Sequence, residues 1–533
     1  MAASPIAPDH QLPAVHWTLW LGLLAVVVAG AMLDVMEVDA AQYATMARDM
    51  LGQEDKLKLY FRGRDYLDKP PLLFWSSALS FGLFGIHNWS YKLPSILFAF
   101  GGVYATYRYA RLFQSKPVAT WAAFLFASSV SFVIMTNDVR TDTLLTACIM
   151  LATWTGSEYL RGRGWTWAMA CGLAMGAGLL AKGPLGAVAP FIILSVQVVV
   201  QRQWSVWRDP RFWSIPIVAG LVLVPMLVGL YEQHGPHGIR FFFWEQSFGR
   251  ITGENRWKDD SSVLFFTHEV PWLLLPWTLF CLLGIWRAVR RRGTMEQATA
   301  WSVCILFVAL SLSQFKLPHY IYPVLPLLAI LGAGEMIRPF GAAVRRSQTG
   351  IVALLYILAW CLVAYSFPAG AWPAWVALFV ALFVAFLVIR RRGGHVLVTV
   401  TAVIWLAAAW TLNTHVYPAI LSYQSNAQAG RWLKTEHVPP DRIITLHVGG
   451  TALEFYGAAS GPHYPDIASM TSAPQRGAYL YTDEAGREAL LLRGWSGTVV
   501  HTCAHYPVQL PGSDLVIPSR REAALEQRFI LRY

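Results

Sequence analysis

Along most of the chain the hydrophobic residues neither alternate with polar ones nor line a single helical stripe. They come in long runs separated by short polar connections. Runs of this kind match the ~20 apolar residues that an α-helix needs to cross a bilayer. They predict helices near 17–33, 92–112, 117–135, 142–160, 165–181, 184–201, 212–231, 271–287, 298–314, 319–337, 350–366, 372–389 and 396–412, about thirteen spans in all. A further apolar segment, 70–86, opens with Pro70-Pro71 and is short. It is expected as an interfacial or re-entrant helix rather than a span.

After residue 417 the pattern changes. Residues 418–533 read as ordinary soluble sequence, with a helix over Gln424–His437, strands at Arg442–Val448 and Ala478–Tyr481, a helix at Glu484–Leu492 and a strand at Thr498–Thr502. The expected organisation is a transmembrane part, 1–417, followed by a small α/β domain. There is no repeat and no low-complexity tract.

Composition narrows the class. Of 533 residues, 55% are hydrophobic and 14% charged, against about 25% charged in soluble proteins. A soluble enzyme and a disordered chain are thereby excluded. Five of the six cysteines lie in apolar segments and only Cys503 in a polar one, so no disulfide framework is implied. The 24 Trp suit interfacial anchors.

The net charge of +11 does not point to nucleic acid. Every second short loop is basic: 108–116, 161–163, 202–211, 287–292, 338–346 and 390–392 hold their Lys and Arg against a single acid, Asp209. By the positive-inside rule these loops face the cytoplasm. Two long loops, 34–91 and 232–270, and the C-terminal domain then lie outside. Ala29-Gly30-Ala31 is similar to a signal-peptidase site, but no basic residue precedes the first run, so that run is expected to be a retained anchor.

The outer loops concentrate charge of both signs, which topology alone does not require. Asp39 follows the first run, and Tyr43 shares its helical face at i+4. A carboxylate there is suited to general-base work, or to complementing a helix dipole. Lys69, in Asp68-Lys69-Pro70-Pro71, is placed to hold a lipid phosphate or simply to snorkel. Asp142 heads an apolar helix, with Arg140 available to pair it. Lys182 sits in the turn Ala181-Lys182-Gly183-Pro184. Lys316 and Tyr320 sit in Lys316-Leu317-Pro318-His319-Tyr320. With Arg250, these cations share one side with Asp39 and Asp142, an arrangement suited to a phosphate-bearing lipid and a base. His501, Cys503 and His505 align along one strand face as a candidate metal set without a fourth ligand. No Walker motif or dinucleotide fingerprint is present.

The runs DAAQYATMARDML, LDKPPLLFWSSALSFGLFG, RTDTLLT, AKGP and FKLPHYIYPVLPLLAIL, in this order over most of 34–335, resemble the bacterial GT-C glycosyltransferases of the aminoarabinose-transferase and protein-mannosyltransferase-like group. The resemblance implies a polytopic GT-C fold, an active site on the periplasmic face of the inner membrane, and a polyprenyl (undecaprenyl) phosphate-linked sugar as donor. It implies Asp39 and Asp142 as the catalytic acids, and Lys69, Arg250 and Tyr320 as lipid-phosphate contacts, with Lys182 and Lys316 beside them. The acceptor would be a lipid A-like lipid, another glycan or a protein, and the enzyme is expected to be monomeric.

Three positions depart from the group's pattern. Asp39-Ala40 stands for Asp-Glu, Asp68-Lys69 for Glu-Lys, and Glu245-Gln246 for Glu-His. The last removes a histidine that in the group helps to hold a metal. A divalent cation is left as an open cofactor that would here have to rely on Asp68 with His268, and weak or absent dependence on it is expected. Rival readings are a protein O-mannosyltransferase, a secondary transporter, whose ionisable groups would sit near the midplane, and a scaffold for the C-terminal domain.

Overall fold

The computed structural model describes residues 15–245, 261–390, 395–457, 461–508 and 512–533. Every one of the thirteen apolar runs contains a helix, but the helices differ in length. Pro210–Glu245, Ala342–Ser366, Trp372–Arg390 and Val396–Leu421 are long and apolar enough to cross a membrane. Lys116–Ala127 and Val130–Asn137 add a fifth such unit if their 53° bend is counted as one broken span. Of the other runs, some form shorter helices, such as Trp17–Met32 and Leu185–Gln201, and others helices of comparable length, such as Asn88–Ala110 and Thr141–Leu160.

Two expected spans are broken by proline. The 271–287 run splits into Phe265–Leu273 and Thr278–Ala288 around Pro276, which has no N–H to continue a ladder. The 319–337 run opens as a 3₁₀ stretch, Pro318–Val324, carrying Pro318 and Pro323, before Leu325–Glu335 turns α-helical. The short segment after Pro70-Pro71 forms the helix Leu72–Phe84, whose 13 residues reach only ~20 Å.

Small residues let the helices approach closely. A side chain at Gly186 would collide with the backbone of Gly178, and one at Gly284 with Leu331 and Gly332. Without water between helices, such backbone contact replaces hydrophobic burial as the packing force. The Gly178–Gly186 contact sets the turn between Trp165–Lys182 and Leu185–Gln201. Gly183 takes a left-handed φ of 82° there and Pro184 leads into the second helix. Lys182 is thereby held at the end of the helix pair.

The exit of the first helix is fixed in another way. Lys92, fully buried, donates to the carbonyls of Gly30 (3.0 Å) and Leu33 (2.8 Å) at the helix end, Gly30 O also accepting from Leu33 N at 3.2 Å. Asn413 donates to Val26 O (2.8 Å) and exchanges bonds with Asn137. The chain therefore leaves the first helix toward Asp39 along a fixed path.

The C-terminal part forms a five-stranded sheet in the spatial order His463–Tyr464, Ile443–Leu446, Tyr479–Asp483, Glu526–Arg532, Thr498–His505. The first three strands run parallel, and Glu526–Arg532 is antiparallel to both neighbours. The expected helices occur as Ser425–Thr435 and Glu484–Leu492. The sequence pattern did not reveal the strands His463–Tyr464 and Glu526–Arg532 or the helix Thr451–Gly457.

Candidate active site

The outer segments converge at one end of the helical bundle, and the basic short loops gather at the other. There Arg163 pairs with Glu158 at 3.2 Å, Arg287 with Glu335, and Arg161 donates to Leu112 O at 3.2 Å. Charge is thus segregated to two ends with apolar packing between them, a distribution that a membrane imposes.

At the first end, Asp39 opens the helix Asp39–Asp49, where its charge complements the helix dipole. Tyr43, one turn on, is buried edge-on against Phe74, their ring centroids 5.6 Å apart. Its phenol is held well above the usual range by burial, with Tyr66, Asp39 and Asp68 adding negative fields. Tyr43 is therefore a neutral wall of the site, not a base.

Arg140 links two elements. Its Nε donates to Asp138 at 2.8 Å and its Nη1 to Asp39 at 3.4 Å. Asp142, for which Arg140 was the expected partner, is instead paired with Lys182 Nζ at 2.6 Å, and His319 Nε2 lies 3.8 Å from its other oxygen. The reason is helical geometry: Arg140 precedes the helix Thr141–Leu160, whereas Asp142 points into the neighbouring helix Trp165–Lys182. The Lys182 ammonium also sits 3.9 Å from the centre of the Tyr320 ring, a cation–π contact. His319 stands beside Asp142 and edge-on to Tyr320, 5.1 Å between ring centroids, so Asp142, Lys182, His319 and Tyr320 form one cluster.

Exposure divides the carboxylates. Asp138 and Asp142 have only 7% and 3% of their side chains accessible, but Asp39 has 48% and Asp68 41%. A group can act on a substrate only if the substrate can reach it. Asp39 and Asp68 meet that condition, and the buried acids set the positions and charge of Arg140 and Lys182. Lys69 lies 2.7 Å from Asp68 and lines a cavity with Tyr66, Pro70, Met226, Gln233 and Phe242.

The remaining candidates fall as follows. Lys316 is buried and donates to the carbonyl and hydroxyl of Ser261 at 3.1 and 3.3 Å, tying down the end of the second long loop. Arg250 and Gln246 lie outside the described residues. His268 is exposed, stands 3.2 Å from Glu269 and meets the Phe265 ring edge-on. Among the described residues no three His, Cys, Asp or Glu side chains gather around a point that could hold an ion. Asp68 is turned to Lys69 and His268 to Glu269, so among the described residues the two do not form a cation site.

His501, Cys503 and His505 do share one face of their strand, as expected, but each takes its own partner and among the described residues they do not gather around an ion site. His501 stacks on Trp432, Cys503 is buried in the sheet core, and His505 Nδ1 is 2.8 Å from Ser425 Oγ. The register is unbroken from His501 to His505, the bulge between Val499 and His501 lying before all three.

Three roles are not legible in the sequence. His319 stands inside the Lys-Leu-Pro-His-Tyr motif. Arg140 was taken as a partner of Asp142 and not as the link to Asp39. Glu37 lies two residues before Asp39, but its side chain faces the C-terminal sheet, which no local pattern signals.

Residues 68–228 match the profile of the dolichyl-phosphate-mannose-protein mannosyltransferase family. The chain is 28% identical over 320 residues to the undecaprenyl phosphate-α-4-amino-4-deoxy-L-arabinose arabinosyl transferase of Edwardsiella ictaluri, covering 57% of this chain and 56% of that protein. It is 28% identical over 343 residues to the protein of that name from Pseudomonas savastanoi pv. phaseolicola, covering 60% and 62%. The match therefore spans about three-fifths of these relatives' lengths. In three dimensions the chain superposes on ArnT of Cupriavidus metallidurans bound to undecaprenyl phosphate, with a TM-score of 0.75, 21% identity, and coverage of 97% of this chain and 98% of the other. The same protein in its apo state gives 0.73. The fold is the GT-C fold of that transferase, with the helical bundle and the C-terminal sheet both included.

Proposed function

We propose that the chain is a membrane glycosyltransferase of the bacterial inner membrane. It would move a sugar from a polyprenyl (undecaprenyl) phosphate donor to a lipid A-like or other periplasmic acceptor. The observation that carries this reading is the cluster itself: an exposed carboxylate, Asp39, steadied by Arg140 beside Lys69, Lys182 and His319, at the membrane-exit end of a GT-C bundle.

In the reaction the acceptor oxygen attacks the anomeric carbon and the sugar–phosphate C–O bond breaks. Polyprenyl phosphate departs with the electron pair. Asp39 orients the attacking group and takes its proton where it carries one. Lys69 and Tyr320, with Arg250 from the second outer loop, hold the phosphate, whose growing charge is what a fixed cation stabilises most. Asp142 holds Lys182 in place, and Lys182 supports Tyr320 from beneath its ring. A nucleotide sugar is not needed, because the lipid phosphate is already the leaving group.

The topology belongs to the same reading. Thirteen crossings, with the basic loops in the cytoplasm, carry Asp39, the long loops and the C-terminal sheet to the periplasm. A reporter active only in the periplasm, fused after residue 425, is expected to be active, and one within 287–292 inactive. Transfer is tested with purified protein in lipid nanodiscs, an undecaprenyl phosphate-linked amino sugar, and lipid A or an acceptor peptide. Product on lipid A supports the reading. Product on the peptide alone would shift it to protein O-glycosylation, and no product on any acceptor with intact protein would end it.

A further inference from the structure

The segment leading into Asp39 is held from two sides: by Lys92 and Asn88 of the helical bundle at Leu33 and Asp34, and by the C-terminal part of the chain over residues 35–38. Gln424 forms a two-way clasp: its Oε1 accepts from Glu37 N (2.9 Å) and its Nε2 donates to Val35 O (3.0 Å). The Tyr456 hydroxyl accepts from Val35 N at 2.8 Å. Thr451 Oγ1 donates to Val38 O at 3.0 Å. At the centre is the Glu37 carboxylate, with Asn426 Nδ2 donating to one oxygen at 2.8 Å and Ala452 N to the other at 3.1 Å. Asn426 is itself fixed, because its Oδ1 accepts from Tyr481 and from Arg528.

Among the described residues Glu37 makes no ion pair within 4.0 Å, and its place in the fold is unusual for a carboxylate. Burial raises its pKa, countered by Asn426, the Ala452 N–H and Arg528, with Glu454 nearby as a like charge. Gly450 presses directly on it, since a Cβ at that position would overlap Glu37 Oε1 and Asn426 Nδ2. A desolvated acid costs stability. Retaining one two residues before the exposed Asp39 makes sense if both of its oxygens are needed as fixed acceptors.

We infer that Glu37 is a positioning residue: clamped by Asn426 and by Ala452 of the helix Thr451–Gly457, it sets where Asp39 stands, which makes the C-terminal sheet domain part of the active-site wall. The inference rests on the transferase reading proposed above. Glu37 does not touch the reacting atoms. It acts through two peptide units on the residue that does, and a displacement of ~1 Å at such a residue can lower a rate ~100-fold.

The test uses the full-length protein in nanodiscs and four variants. Glu37→Ala removes both acceptors. Glu37→Gln turns one acceptor into a donor facing a donor. Gly450→Ala leaves Glu37 intact but displaces it. Glu37→Gln with Asn426→Asp exchanges donor and acceptor, so the amide of residue 37 donates to residue 426, which still accepts from Tyr481 and Arg528.

The three single variants are expected to lower kcat about 10–100-fold, with the donor KM within about twofold of the parent. They should also speed amide hydrogen exchange over residues 38–43. The exchanged pair is expected to regain at least tenfold in kcat over Glu37→Gln. Unchanged kcat in both Glu37→Ala and Gly450→Ala overturns the inference, as does a double variant no better than Glu37→Gln. A raised donor KM at constant kcat would make Glu37 a binding residue instead and overturn it equally. Should the parent protein transfer no sugar, the function proposed above fails. The exchange data then judge the clamp alone, and unchanged protection over 38–43 sinks it.

Discussion

Replacing Lys182 by Met should expose how much the bundle depends on its buried charges. Asp142 retains 3% of its side-chain exposure and Lys182 14%, and their charged atoms are 2.6 Å apart. At an effective dielectric near 20 the gross attraction is about 6 kcal/mol. Much of it offsets the desolvation of the two ions, so the pair itself contributes little net stability. Losing one partner is different, because a buried carboxylate is left behind. The usual cost is about 3–5 kcal/mol. His319 at 3.8 Å and the nearby Arg140 still offer partial compensation, which places the expected loss near the lower end, about 3 kcal/mol. Asp142→Asn combined with Lys182→Met removes both charges and keeps the shape. It is expected to recover stability to within about 1.5 kcal/mol of the parent, as charge-free replacements of buried pairs do. Transfer should stay low in both, since Tyr320 loses its cation support. Unfolding in mixed micelles of rising SDS content measures the first quantity, and initial rates in nanodiscs the second. A single variant within 0.5 kcal/mol of the parent would refute the argument, and so would a double variant no more stable than the single.

Other outcomes follow from the same geometry. Asp39→Asn keeps shape and helix start but removes the charge, and should cut turnover roughly 10²–10⁴-fold while donor binding survives; near-normal turnover would remove its role. Lys69→Ala should weaken donor binding roughly ten- to a hundredfold, read by competition with undecaprenyl phosphate, the loss of one charge-assisted contact. Chelator treatment of the purified protein should leave most transfer intact, and inactivation reversed by one stoichiometric metal would contradict this. Glu37 gives a pH signature. Burial raises its folded pKa above the unfolded value, so its contribution to stability is complete below about pH 4 and is lost as pH rises through the folded value. The stability of Glu37→Gln relative to the parent should therefore improve as pH rises from about 4 through the folded pKa of Glu37 and level off above it. Arg528 and Glu454 face Glu37, and Arg62 and His505 line the same cavity. His505, pushed down to about 4 by burial and Arg528, titrates in both proteins and cancels in the difference. A flat or falling difference would show that Glu37 is not desolvated as described.

How much could be read from the chain alone depended on whether the physics was local. A run such as Trp372–Arg390 is a helix because a bilayer leaves backbone groups no partner but their own chain, so its composition already determines its form. The short helix after Pro70-Pro71, the helix Glu484–Leu492 and the side of the molecule shared by Asp39, Lys69, Asp142 and Lys182 were legible for the same reason: length, proline and loop charge act over a few residues. Pairing was not legible. Arg140 lies two residues from Asp142 yet serves Asp39 and Asp138, while Asp142 takes Lys182 from a turn forty positions on. Lys316 looked like a free outer lysine and is tied to Ser261. Glu37 carries no local signal of its role, and its partners, Asn426 and Ala452, lie 389 and 415 residues away. Charge and spacing can say which groups reach the same end of a bundle. Which carboxylate stays open to substrate and which is buried under a cation is decided only when distant segments pack, because desolvation depends on everything that surrounds a group and not on its neighbours in sequence.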